Sequence, residues 1–315
     1  VGGWGRRAEA VIAMSPPLTL GLTGWVASRL RRAPLIFNIQ DVFPDAAVET
    51  GAITNRLVIA VASWLERISY RAADAVTVLS DDLRDNVAAK LPASATDRVH
   101  VIPNFVDTDA IRPMDRNTEY RRELALGDGP VVLYAGNVGF SQSFDLVVAA
   151  ARAVPSAVFL VNGDGAARAS IEESARDVTN LHVAGYVEPE RLGELLATGD
   201  IHVVPLRAGL GRVSVPSKTY SIMAAARPVV AAIDPGTAVP RILEASGGGV
   251  AVPPDDVESF IGAVRRLVDD PAERAAMGAR GRDWVEHEAS PGAVGDAYHE
   301  LVQGLATRRP DRPSR

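Results

Sequence analysis

The chain has no cysteine. That excludes disulfides, thiolate nucleophiles and cysteine-ligated zinc, and it fits a cytosolic protein. It has no excess of positive charge either: 33 Lys and Arg stand against 39 Asp and Glu, a net charge of -6. A general nucleic-acid binder needs a broad cationic face, so that class is disfavoured. No apolar run reaches the ~18 residues of a membrane span. The longest candidate, residues 8–30, is broken by Ser15-Pro16-Pro17 and runs into Arg29, Arg31 and Arg32. No basic segment followed by an apolar core marks a signal peptide. The five histidines, at 100, 182, 202, 287 and 299, lack metal-ligand spacing, and no Asp-x-Asp element follows a strand to hold magnesium. His182 and His202 lie in apolar strand patterns and read as core residues. Finally, there is no initiator methionine. The chain opens Val1-Gly2-Gly3-Trp4 and runs almost at once into a strand, so a fragment is expected.

What is present is ample: 315 residues, 47% of them apolar, enough for two domains with sizeable cores. Strand and helix patterns alternate almost throughout. In the first part, apolar strands are expected at residues 10–14, 35–39, 75–79 and 100–102. Helices are expected at 18–31 and 55–71, and after Ser80-Asp81-Asp82, with a loop containing Pro44 and Gly51 between. From residue 106 to 130 the periodicity fades and charge rises, which places an inter-domain link near Arg112-Pro113. The rhythm then restarts, with strands at 131–135, 158–161, 181–184, 201–204, 229–233 and 249–252. Helices are expected at 144–154, 189–197, 257–268, 271–284 and 291–305. The expectation is an α/β protein of two Rossmann-like, doubly wound parallel-sheet domains, with ligands at the carboxyl ends of the strands. Its parts are 1–112, 113–290, a helix at 291–306 and a disordered Arg- and Pro-rich tail at 307–315.

One stretch organises the second domain: Gly211 to Val230, a Gly- and Ser-containing loop, a helix and a buried strand. Pro216 suits a first helical turn, and Ser214 or Ser217 can cap it. Tyr220, Met223 and Ala224 form an apolar stripe, and Lys218 sits at the helix start. Free N–H groups and the helix dipole favour an anion there, although an ordinary α/β unit with a surface lysine reads equally well. The loop Gly136 to Gln142 follows a buried strand. Gly136 and Gly139 let backbone approach a ligand, while Asn137 and Gln142 can donate hydrogen bonds to phosphate or sugar oxygens. Gly163-Asp164-Gly165 lacks the third glycine of a dinucleotide fingerprint, and a tight turn is the better reading. Gly139-Phe140-Ser141-Gln142-Ser143 lacks the last glycine of a nucleophile elbow, leaving little support for a hydrolase.

Taken together, these motifs resemble the GT-B glycosyltransferases, specifically the retaining family 4 that uses nucleotide sugars. The elements are Asp41-Val42-Phe43-Pro44-Asp45, Pro103-Asn104-Phe105-Val106-Asp107, Tyr134-Ala135-Gly136-Asn137, Gly163-Asp164-Gly165, Gly185-Tyr186-Val187, residues 200–205, Pro216-Ser217-Lys218-Thr219-Tyr220, Met223-Ala224 and Val252-Pro253-Pro254. They span nearly the whole chain. The Gly-Asn-x-Gly and Ser-Val-Pro-Ser-Lys versions are similar to a bacterial surface-polysaccharide branch that transfers N-acetylated deoxysugars, such as N-acetyl-fucosamine.

The resemblance implies an acceptor-side first domain, a second domain that holds the nucleotide sugar (a UDP sugar), and a last helix that crosses back to the first domain. It implies no metal or other cofactor, with positioned donors stabilising the departing diphosphate. Asp41 and Lys218 become the catalytic candidates. Gly136, Asn137, Gly139, Gln142, Gly163, Tyr186, Val187, Ser214, Ser217, Lys218 and Ser221 become the donor-site candidates. The acceptor is expected to be lipid-linked or a polysaccharide, met in the cytoplasm at the inner face of the membrane through peripheral contact, with no role for nucleic acid. The departures are specific. The family's Arg and Lys in the first loop of the second domain match Asn137 and Gln142, so Lys218 is the remaining cation. Its paired glutamates fall on Val213 and Ser221, and its histidine before the first-domain Asp falls on Gln40. Its first strand and glycine-rich loop have no counterpart before Val1, from which poor transfer by the chain as given is expected. Two other readings compete: a degenerate nucleotide binder without catalysis, and a UDP-sugar 2-epimerase, whose acidic and histidine set finds no match here.

Overall fold

A computed structural model of the chain describes residues 8–49, 53–211 and 215–307. Val1-Gly2-Gly3-Trp4, Gly51, Val213, Ser214 and the tail from residue 308 lie outside the described residues. The chain forms two compact units, one of residues 8–104 and 292–307, the other of Phe105–Gly211 and Pro216–Pro291.

The first unit is built on a four-stranded parallel sheet. Its strands β1 (Val11–Ser15), β2 (Leu35–Ile39), β3 (Ala75–Val78) and β4 (Val99–Val101) lie in the order 1-2-3-4. Strands β2 and β3 are buried throughout, as expected for a parallel sheet covered on both faces. The alternation of β2 shows what covers each face. Ile36 packs with Ala75 and Leu305, beside Tyr298, Leu301 and Val302 of the helix Pro291–Thr307. Asn38, on the same face, donates to the Tyr298 hydroxyl at 2.7 Å and to Thr77 Oγ1 at 3.0 Å. The last helix therefore does return to the first sheet, as the resemblance implies. On the opposite face, Leu35 and Phe37 meet the helices Thr19–Arg31 and Arg56–Ala72. A side chain at Gly21 would lie 2.5 Å from Ser69 and one at Gly24 2.8 Å from Ala13, so glycine is what permits this close packing.

The second unit holds a six-stranded parallel sheet: β5 (Val131–Ala135), β6 (Val158–Asn162), β7 (Leu181–Ala184), β8 (Ile201–Pro205), β9 (Val229–Ala232) and β10 (Gly249–Val252). Their order is β10-β9-β8-β5-β6-β7. The chain thus winds outward from β5 in one direction, then returns to β8 beside β5 and winds the other way. Such a reversal opens a crevice at the carboxyl ends of the two central strands. The core beneath is continuous, with Val132, Tyr134, Phe159, Ile201, Val230 and Phe260 all fully buried.

Two five-residue helices occupy ground that shows little periodicity in the sequence, and a third helix, Ala238–Ser246, is absent from the expectations although Val239, Ile242 and Leu243 recur at helical spacing. Asp45–Glu49 forms directly after Pro44, whose carbonyl accepts the Ala47 and Val48 N–H groups. Glu119–Glu123 is capped by Thr118, whose Oγ1 accepts the Arg121 N–H at 3.1 Å; Ala238–Ser246 precedes β10. The charge-rich segment after Asn104 is held by the second unit. Val106 N–H donates to the Ala289 carbonyl, and Arg282 donates to the carbonyls of Thr108 and Ile111. The Arg121 guanidinium lies in the core between Asp200 and the carbonyls of Gly127, Thr198 and Gly129. Its charge is structural.

Candidate functional site

The site follows from the reversal between β5 and β8. The loop after β5 is stitched to the loop after β8: Ser143 N–H donates to the Pro205 carbonyl, Arg207 N–H donates to that of Ser141, and Gln142 bridges Leu206. Across the loop, Gly136 N–H donates to Asn162 and Val138 N–H to Asp164, both at 2.9 Å, which joins it to the turn after β6. The two turns touch backbone to backbone. A Cβ at Gly163 would sit 1.9 Å from the Gly136 carbonyl oxygen, and Gly163 has φ +149, a region only glycine enters readily. The tight turn read at Gly163-Asp164-Gly165 is real. Its second function is to let the neighbouring loop lie flat against it.

Lys218 comes to this place from the helix Lys218–Ala224. Its Nζ would be 3.1 Å from a side chain at Gly136, so a glycine there leaves room for the ammonium. The same Nζ stands 3.9 Å from the centre of the Tyr134 ring, a cation–π contact. No carboxylate or other hydrogen-bond partner meets it among the described residues. Burial pulls the Lys218 pKa down from 10.5 to about 8, because a desolvated ammonium without a counter-ion favours its neutral form. Burial also pushes the Tyr134 hydroxyl well above its usual range, with Tyr186 adding to the effect. That hydroxyl donates to the Asn137 carbonyl and pins the loop. The cation is therefore held close to the sheet without a counter-charge, and an anion can complete it.

Several expectations need correction. Ser217 does not cap the helix through its side chain, because its backbone is already helical (φ -60, ψ -24), whereas a capping residue is extended. Pro216 lies before the helix, not in its first turn. Its carbonyl and that of Ser217 accept the Thr219 and Tyr220 N–H groups, so those donors are not free for an anion and the lysine is the main attraction. Gln142 turns inward: its Oε1 accepts the Gly139 N–H at 3.0 Å, leaving only its NH2 for a ligand. His202 is fully buried, its Nε2 against the Leu196 carbonyl at 2.9 Å and its Nδ1 without a partner among the described residues. It is only half satisfied. Burial lowers its pKa to about 3.

Of the residues singled out in the sequence, the structure gathers Gly136, Asn137, Gly139, Gln142, Gly163 and Lys218 at one place. Tyr186 stands over the turn after β6, its hydroxyl donating to the Asp164 carbonyl at 3.1 Å. Val187 packs below, against the cluster of Leu133 and Leu160. Ser217 and Ser221 lie one turn apart on the lysine's helix, and Ser214 lies outside the described residues. Asp41 belongs to the first unit, just past the carboxyl end of β2. Two contributors are not among the candidate site residues, although Tyr134 stands in the quoted motif Tyr134-Ala135-Gly136-Asn137. Tyr134 supplies the aromatic face, and Asp234 binds the Gly209 and Gly211 N–H groups at 3.0 Å to anchor the loop after β8. The motif and the inward alternation of β5 both point to Tyr134; nothing local marks Asp234.

Comparison with known proteins gives consistent matches. Residues 1–104 match a family model described as a glycosyl transferase 4-like domain, and residues 129–270 match one described as glycosyl transferases group 1. Alpha-D-kanosaminyltransferase of Streptomyces kanamyceticus is 30% identical over 285 residues, covering 86% of this chain and 71% of the relative. Sucrose-phosphate synthase of Thermosynechococcus elongatus has the same fold, with a TM-score of 0.75 at 20% identity, over 95% of this chain and 74% of that one. So does Anabaena Alr3699/HepE, solved in complex with UDP-glucose, with a TM-score of 0.75 at 14% identity, over 93% and 79%.

Proposed function

Since the chain belongs to the family 4 glycosyltransferases of the GT-B fold, which transfer a sugar from a nucleotide sugar, we propose that it is a retaining transferase using a UDP sugar. Its proposed acceptor is lipid-linked or a polysaccharide, and its place of work is the cytoplasm, at the inner face of the membrane. The branch proposed is that of bacterial surface-polysaccharide enzymes. Membrane contact in this proposal is peripheral; among the described residues no helix is long and apolar enough to cross a membrane.

The observation that carries the donor site is Lys218, an ammonium that meets no counter-ion among the described residues, beside Gly136 at the sheet's switch point. As the bond between the anomeric carbon and the diphosphate breaks, negative charge grows on the leaving phosphate oxygen. A cation already desolvated and fixed needs no reorganisation to meet that charge. Asn137, Gly139 and the Gln142 amide border the diphosphate in this reading. Gly163, Tyr186, Val187, Ser217 and Ser221 are assigned to the rest of the donor site in the same reading. Asp41 is assigned to the acceptor side. The reading needs no metal. It is supported by the lysine, whose ammonium can meet the diphosphate charge that a metal would otherwise neutralise.

The test is ligand-induced stabilisation with UDP and GDP side by side. At about 100 times its dissociation constant a nucleotide adds about 2.7 kcal/mol, readable as a thermal shift. UDP is expected to give the larger shift and Lys218→Ala to abolish most of it. A larger shift with GDP would replace the uridine assignment, and an unchanged shift in the variant would remove Lys218 from the site.

A further inference from the structure

Asp255 stands in a backbone that favours glycine. It follows Val252-Pro253-Pro254 at the carboxyl end of β10, and its φ is 62. A non-glycine residue held in that left-handed region carries strain, and such strain points to a side chain kept for some other purpose. Capping is not that purpose. The next residue, Asp256, caps helix Val257–Asp269 by accepting the Ser259 N–H at 3.0 Å. Asp255 instead accepts the Ser143 hydroxyl at 3.0 Å, across 112 residues of chain.

Ser143 is an unusual partner in its turn. It precedes helix Phe144–Ala153, where a serine hydroxyl ordinarily accepts a leading N–H of its own helix. Here its side chain makes no such bond and turns to Asp255. Its backbone N–H holds the Pro205 carbonyl, and the loop that carries Gly136, Asn137, Gly139 and Gln142 ends directly before it. The two helices lie side by side. Phe260 and Val264 share a core with Val147 and Val148, and Arg265 donates to the Ala153 carbonyl at 3.0 Å. The bond between Ser143 and Asp255 joins the same two helices at their leading ends, beside the loop.

We infer that Asp255 is a positioning residue for donor binding. Through Ser143 it fixes the end of the loop Gly136–Gln142, and with it Gln142, whose Oε1 holds the Gly139 N–H. A left-handed aspartate costs about as much as one hydrogen bond contributes, so the pair adds little to the stability of the fold. What it adds is a fixed place for the loop. A loop already held in its binding conformation loses less freedom when nucleotide arrives, and affinity rises accordingly. The inference rests on the proposed donor role of that loop, to which it adds a residue that acts without touching the nucleotide.

The experiment measures UDP affinity by calorimetry, melting temperature, and amide hydrogen exchange without ligand. It compares the full chain with Asp255→Gly, Asp255→Asn, Ser143→Ala and the double variant Asp255→Gly, Ser143→Ala. Glycine relieves the strain and removes the carboxylate. It should leave the melting temperature equal or higher, weaken UDP about fivefold, as for one lost hydrogen bond, and speed exchange at residues 136–142. Ser143→Ala should weaken UDP by the same factor, and the double variant by no more than either single change. Asparagine keeps the acceptor oxygen and tolerates a positive φ, so it should bind as the wild type does. A glycine variant with wild-type UDP affinity, or one that loses affinity only in step with its melting temperature, would overturn the inference. So would an asparagine variant as weak as glycine. If the wild type bound no UDP, the donor reading would fail. Exchange would then still decide whether Asp255 fixes the loop, since an unchanged rate at 136–142 in Asp255→Gly refutes it.

Discussion

Replacing Lys218 by methionine should stabilise the unliganded protein while destroying its response to nucleotide. The ammonium is desolvated, and its pKa falls from 10.5 to about 8. At neutral pH that difference corresponds to about 3 kcal/mol of cost to the folded state. The Tyr134 ring at 3.9 Å returns about 1 kcal/mol of this through cation–π attraction, so a gain of about 2 kcal/mol is expected. Methionine keeps the length of the stem and removes only the charge. The sign of the pH dependence is fixed. The folded pKa lies below the unfolded one, so between about pH 8 and 10.5 the unfolded chain binds more protons, and wild-type stability rises with pH. Urea denaturation at pH 7 and at pH 9.5 should therefore show the variant ahead at pH 7 and its lead nearly gone at pH 9.5. UDP affinity should likewise be flat below pH 8 and decline above it as the cation is lost. A methionine variant no more stable than wild type at pH 7, or a gap that ignores pH, would refute the claim that Lys218 is an uncompensated charge.

Further predictions concern the turns and the core. Gly163→Ala forces a Cβ to within 1.9 Å of the Gly136 oxygen at a positive φ, so denaturation should show a loss of at least about 2 kcal/mol. Gly262→Ala, in mid-helix with no atom near the new methyl, should gain about 0.5–1 kcal/mol in the same assay. His202 has its pKa lowered to about 3, so the wild type should lose stability as pH falls from 6.5 towards 3. His202→Leu should flatten that loss in denaturation curves at pH 6.5 and pH 4. Chelator should leave the UDP-induced thermal shift unchanged; loss of the shift, with recovery on adding manganese, would sink the metal-independent donor site.

Much of this architecture could be read from the sequence because buried parallel strands are nearly continuous apolar runs. Val131–Ala135 and Leu35–Ile39 stand out for that reason, and Leu181–Ala184 is bounded as the pattern predicts. The short helices Asp45–Glu49 and Glu119–Glu123 were hidden because five residues cannot express a 3.6-residue period. Gly136 and Gly139 read in the sequence as room for a ligand; what the structure shows is a backbone contact between two turns, Gly136 against Gly163. What they approach was not legible, since Lys218 and Tyr134 meet only through the crossover that sets β8 beside β5. The inward turn of Gln142 and the helical backbone of Ser217 escaped for the same reason. Residue type tells what a side chain can do, and neighbours decide what it does.

The return of helix Pro291–Thr307 to the first sheet has a consequence for how the chain is made. Strands β1 to β4 leave the ribosome early, but the apolar face formed by Ile36 and Ala75 waits for Leu305. The second unit, which runs from Phe105 to Pro291 apart from a few residues of the loop after β8, must be translated in between. At about 5–20 residues per second, that interval is roughly 10–40 s. For that time the half-covered sheet is a natural client for a chaperone. Slow codons ahead of residue 291 would lengthen the exposure, and chains stalled there should aggregate through the first unit, not the second.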